Sequence, residues 1–196
     1  MEKRRWMQST GQRTLALLAL VCSASAMALP PNAAMLTHDC AGCHGTDGAS
    51  AGPSMPSLAG HSKQTIVEAM KNFKSGARPS TIMGRLAKGY TDADFALMGD
   101  FYAAQKRHIT QQNLDPGRVA KGAVLHESKC KSCHVENGKV SNDDAPPIAS
   151  QWLPYLQMQV ALYVEGKRKT PGMSEAIKTL SADELESLLH FYASVK

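Results

Sequence analysis

Two five-residue runs carry the chemistry open to this chain: Cys40-Ala41-Gly42-Cys43-His44 and Cys130-Lys131-Ser132-Cys133-His134. A Cys-x-x-Cys-His run is the covalent attachment signature of c-type haem. On a turn of helix, two thiols three residues apart both reach the vinyl groups on one porphyrin edge and form thioethers. The histidine that follows then lies under the iron as proximal ligand. Cys40, Cys43, Cys130 and Cys133 are therefore expected to hold two covalently bound haem c groups, with His44 and His134 on the irons.

The runs lie ninety positions apart, and the same offset applied to the methionines tests for duplication. Met35, Met55, Met70 and Met98 fall on Leu125, Ala145, Val160 and Leu188, whereas Met83 falls on Met173. Each histidine is thus followed by a methionine thirty-nine residues later, and Met83 and Met173 are the expected sixth ligands. The offset also carries Pro56 to Pro146, Gly76 to Gly166, Arg78 to Arg168, Lys88 to Lys178 and Phe101-Tyr102-Ala103 to Phe191-Tyr192-Ala193. Registration without gaps indicates two homologous units. A four-thiolate zinc site or two disulfides would also use four cysteines. Neither accounts for the histidine after each pair or for the matched methionines.

A chain of 196 residues accommodates two small domains, and the repeat requires two. About ninety residues is little chain for a stable core, so a covalently held haem is expected to serve each unit as its apolar centre. The formal charge of +5 is partly a leader's. Residues 1–28 combine a basic start, an apolar run from Thr14 to Cys22 and small residues before Ala28, the pattern of a secretory signal peptide. Cleavage is expected after Ala28, with Ala26 the second choice, and export to the periplasm follows. The run is too short to span a bilayer comfortably, so no transmembrane segment is expected in the mature chain. Removal of Lys3, Arg4, Arg5 and Arg13 with Glu2 leaves a net charge of +2. No basic stripe with interleaved aromatics is present, so nucleic-acid binding is not expected.

The first domain is expected over 29–105, a polar linker over 106–117 and the second domain over 118–196. Within the first, Asn32 caps a short helix into Cys40, and Gly45 to Ser57 loops around a haem edge. Lys63 to Phe73 reads as a helix with Ile66, Val67, Met70 and Phe73 on one face. Ser80 to Gly84 is expected as the loop delivering Met83. Thr91 with Asp94, and Ser181 with Glu184, have capping-box spacing and open the last helix of each unit. His38 and His61, without counterparts at the offset, read as surface or loop residues. Trp152 is expected to be buried against haem or the other domain, and Pro154 sits in the tolerated first turn of a helix. Arg78 and Arg168, each five residues before an expected ligand methionine, read equally as propionate or loop-carbonyl partners and as solvated charges.

Several stretches bear a family resemblance: Met35-Leu36-Thr37 with the run Cys40 to Thr46, Phe73-Lys74-Ser75-Gly76, Ser80 to Tyr90, Cys133 to Glu136, and Gln151 to Gln157. Together they resemble the cytochrome c4-like dihaem cytochromes, and more closely the cytochrome subunit of flavocytochrome c sulfide dehydrogenase. The resemblance implies an all-α fold of two tandem cytochrome c domains about a pseudo-twofold. It also implies His/Met haems, a larger FAD-containing flavoprotein subunit as electron donor and a small electron acceptor protein. On this reading the chain carries electrons and is not itself an enzyme. Two rival roles are a free or membrane-associated c4-type carrier to a terminal oxidase, and a dihaem peroxidase or thiosulfate-oxidising enzyme. The paired methionines leave no open iron position, which argues against the last. The chain has no Gly-x-Gly-x-x-Gly run, so any flavin belongs to another polypeptide.

Overall fold

Helix starts in this protein are set by side chains that answer unpaired backbone amides. The computed structural model describes residues 32–140 and 145–196; the expected leader, the Leu29-Pro30-Pro31 lead-in and Asp143-Asp144 lie outside them. Asn32 Oδ1 accepts from Met35 N at 2.9 Å and opens α1 (Ala33–His38). The single turn α2 (Ala41–His44) carries the first attachment run. Ser62 Oγ accepts from Thr65 N at 3.1 Å and opens α3 (Lys63–Ser75), which stops at Gly76 in the left-handed region, φ 82°. After α4 (Met83–Leu86) and a tight turn, the Thr91–Asp94 capping box opens α5 (Asp92–Ala103). Such caps are worth about 1 kcal/mol each.

The second half repeats this order. Asp115 caps α6 (Pro116–Leu125), whose first-turn proline loses no helical hydrogen bond, and the helix widens into a π turn over His126–Cys130. A distorted turn α7 (Val135–Gly138) precedes α8 (Leu153–Val164), α9 (Pro171–Lys178) and α10 (Ala182–Ser194). The Ser181–Glu184 capping box opens α10. Helices α3 and α8 begin ninety residues apart, as do α5 and α10. Loop hydrogen bonds keep the same register. Gly48 O accepts from Leu58 N and Ala59 N, and Gly138 O accepts from Ile148 N and Ala149 N. Tyr102 O accepts from Gly60 N at 2.9 Å, and Tyr192 O accepts from Ser150 N at 2.8 Å. No strand occurs among the described residues. The fold is all-α, two tandem halves related by duplication.

Each half closes its own core. In the first, α5 packs on α1 and α3 through Ile66, Met70, Phe95, Met98 and Tyr102. In the second, α10 packs on α6 and α8 through Leu156, Leu188, Leu189, Phe191 and Tyr192. Full burial of an aromatic or aliphatic side chain of this size is worth about 1.5–3 kcal/mol. Gly122 lets α6 and α10 touch: a Cβ there would stand 2.1 Å from Ser187 O.

The halves meet along a polar seam. The Gln151 amide accepts from Ser57 N at 3.0 Å and donates to Ser57 O at 2.8 Å. Trp152 Nε1 donates to Ser50 O at 3.1 Å, so this residue rests on the other domain's loop. The segment between the halves is also fastened. Thr110 N donates to Ser150 Oγ at 2.8 Å, and the Gln112 amide bonds to Gln151 O at 2.9 Å and Leu153 N at 2.8 Å.

Candidate haem centres

The chain makes each attachment run a tight turn, closed by bonds to the carbonyl of its first cysteine. His44 N donates to Cys40 O, and His134 N to Cys130 O, both at 2.9 Å. Cys43 N and Cys133 N reach the same carbonyls at 3.2 and 3.3 Å. Cys40 and Cys130 are half-buried and Cys43 is exposed; the Ser132 hydroxyl lies 3.9 Å from Cys133 Sγ. The two runs sit in separate cores, Cys40 against the first and Cys130 against the second. A single four-thiolate zinc site would need them together.

His44 is 6 % exposed, and its Nδ1 lies 2.8 Å from Pro56 O. A proton on Nδ1 donated to that carbonyl leaves Nε2 as the lone-pair nitrogen a metal needs. His134 Nδ1 is buried with no hydrogen-bond partner. Burial lowers the basicity of both imidazoles, the Pro56 carbonyl opposing this at His44 and the neighbouring His126 reinforcing it at His134. Both histidines are therefore suited to be neutral ligands. Burial pushes the Cys40 and Cys130 thiols up.

The expected sixth ligands are held differently. Met83 packs on the same core as Cys40 and is the first residue of α4 rather than part of a loop. Ser80 Oγ accepts from Gly84 N at 2.7 Å and winds the segment into that turn. Met173 lies within α9, half-buried, because Pro171 starts a helix there. The structure does not gather Met173 into the core that Cys130 touches. These features fit haem c: thiols on one turn and a buried histidine in each half and, in the first half, a committed Nδ1 and a thioether sulfur on the same core.

Sequence reasoning passed over three groups beside these centres. The Tyr102 hydroxyl faces Cys40 and the Tyr192 hydroxyl faces Cys130, and burial raises both phenols. His126 is 1 % exposed and its Nδ1 lies 3.0 Å from Tyr192 Oη. The ninety offset could have found it, since Leu36 is its counterpart. His61, read as a surface or loop residue, lies in the loop before α3, where its Nδ1 is buried with no partner and it lines a small cavity at the seam with Ser57, Arg107 and Pro147. Arg78 and Arg168, left open between two readings, both reach Gln159.

Residues 32–115 match the cytochrome c family. Cytochrome c4 of Pseudomonas aeruginosa is 28 % identical over 152 residues, 73 % of this chain and 75 % of that protein. The cytochrome subunit of sulfide dehydrogenase of Chlorobaculum tepidum is 45 % identical over 76 residues, 38 % of this chain and 68 % of that protein. The crystal structure of reduced recombinant cytochrome c4 from Pseudomonas stutzeri superposes with a TM-score of 0.73 at 25 % identity, covering 82 % of this chain and 95 % of that one.

Proposed function

Because this chain belongs to the cytochrome c family, among its c4-like dihaem members, we propose that it is the electron-accepting subunit of a sulfide-oxidising flavoprotein complex. The observation that carries the reading is the 45 % identity to the cytochrome subunit of a sulfide dehydrogenase, against 28 % for a cytochrome c4. The partner would be a separate FAD-containing chain and the destination a small acceptor protein. A periplasmic location agrees with the leader pattern in residues 1–28. No helix among the described residues is long and apolar enough to cross a membrane.

In this reading Cys40 with Cys43, and Cys130 with Cys133, each anchor one haem, and His44 with Met83 and His134 with Met173 hold the irons. Haem supplies a one-electron ferric–ferrous couple when bound. The chain's residues do the rest. Pro56 O orients His44, fixing the ring and its tautomer. Thioether sulfur is a soft ligand that favours the ferrous state, and an apolar wall such as Phe95 and Met98 favours the less charged oxidation state too. Two centres in one chain suit a two-electron flavin that must discharge in single steps.

A second reading, a c4-type carrier without a flavoprotein, is favoured by the wider coverage of the cytochrome c4 match. One experiment separates them: gentle purification from the native source, followed by a count of flavin against haem. One flavin for two haems on a co-purifying larger chain, with haem reduction on adding sulfide, supports the first reading. Haem without flavin and no response to sulfide supports the second.

A further inference from the structure

The duplicated halves differ in chemistry at a buried position beside the attachment run. Four residues before the first thiol stand Leu36 in one half and His126 in the other. Leu36 packs on the first core, where the Tyr102 hydroxyl faces the Cys40 thiol. His126 places its ring 5.2 Å from Phe191 and 5.6 Å from Tyr192, with the Tyr192 hydroxyl 3.0 Å from its Nδ1. The Tyr192 ring in turn lies 5.7 Å from that of His134. Thus an imidazole, a phenol and the expected axial histidine form one chain of contacts in the second half alone.

The backbone marks the same place. His126 to Cys130 is a π turn in which Lys131 N donates to His126 O at 3.0 Å. Such widened turns inside helices are frequent at functional sites. A buried imidazole also carries a desolvation cost that leucine would not, which its hydrogen bonds to Tyr192 and Asn137 only offset. Burial holds His126 below its ordinary basicity. The nearest charges, Glu127 and Lys131, pair with each other at 3.0 Å and add little net field.

Resting on the reading that each half holds one haem, we propose that His126 sets the two centres apart. It puts a polar, hydrogen-bonded imidazole against the Tyr192–His134 wall, so that the second haem has the lower reduction potential and electrons settle on the first. The ferric centre carries one more positive charge than the ferrous, and a polar neighbour favours it relative to an apolar one. In the first half Leu36 offers no such group.

The test uses the full-length haem-loaded protein. Haem is first counted per chain, and a redox titration followed by visible absorbance is then run on wild type, His126→Leu, His126→Gln and Leu36→His. The wild type is expected to show two resolved transitions. His126→Leu should raise the lower potential and narrow the gap, His126→Gln should keep it wide, and Leu36→His should lower the higher one. Two haems per chain with a gap unchanged or widened by His126→Leu overturns the inference. If His126→Leu fails to take up haem, Leu36→His decides alone: an unaltered first potential overturns it. Fewer than two haems on the wild type overturns the parent reading instead.

Discussion

Arg78 and Arg168, ninety residues apart, donate to one oxygen: Gln159 Oε1 lies 3.1 Å from the first guanidinium and 2.6 Å from the second. Each arginine also covers an aromatic ring of its own half, Phe73 at 4.7 Å and Tyr163 at 4.8 Å, again ninety residues apart. Burial, then the charge of Arg78, holds Arg168 below its ordinary basicity. Two like charges share a neutral amide, and no carboxylate among the described residues pairs with either.

Gln159→Leu therefore removes the acceptor these two cations share, leaving Arg78 the Tyr155 hydroxyl at 3.4 Å. Leaving a buried polar group unpaired costs about 1–3 kcal/mol. Urea unfolding of the haem-loaded protein should show a loss of that size, and a midpoint equal to wild type would deny the amide its role.

Met83→Ala and Met173→Ala should each open one iron. Wild type is expected to bind no carbon monoxide in its ferrous form, each single variant one equivalent and the double variant two. Optical titration with the gas reads this directly. A variant whose visible spectrum and gas binding match wild type has lost no ligand.

Gly52 lies under Trp152, where a Cβ would stand 2.3 Å from the indole, and its φ of +81° is strained for any side chain. Gly52→Ala must push Trp152 off the Ser50 carbonyl or bend the loop. Overpacking of this kind costs about 1–3 kcal/mol. A lowered unfolding midpoint, together with altered Trp152 fluorescence, is the expected outcome, with Ser54→Ala as the comparison.

His61 sits where desolvation, partly opposed by the Leu58 and Ala59 carbonyls, lowers its pKa from 6.5 to about 4. A depressed pKa means the fold binds fewer protons here than the unfolded chain. The contribution is complete above pH 6.5 and is lost as pH falls from there through about 4. A depression of this size corresponds to up to about 3 kcal/mol. His61→Gln should flatten the stability profile between pH 6.5 and 4; a variant with the wild-type slope would assign that slope to other groups.

Much of this architecture is legible in sequence because its causes are local. Asn32, Thr91 with Asp94, and Ser181 with Glu184 mark helix starts through hydrogen bonds that span three residues. The attachment runs are legible because thioether chemistry fixes their spacing. The first methionine segment was less legible, because the Ser80 hydroxyl helps wind it into a short helix where a loop was expected. The seam was hidden for a different reason: Gln151 and Ser57 are ninety-four residues apart, and no local pattern encodes their pairing. His126 was hidden behind a search for likeness between the halves, when the informative sign was the mismatch with Leu36.

The fastened connector has a kinetic consequence. Arg107 lies against Gly60, Thr110 is tied to Ser150, and Gln112 is tied to Gln151 and Leu153. Electron tunnelling falls steeply with separation, so a swinging tether would spread transfer between the centres over many rates. With the halves held in one register, transfer between the two proposed haems would follow one rate constant rather than a spread of them. Diffusion then governs only the steps by which electrons enter and leave the molecule.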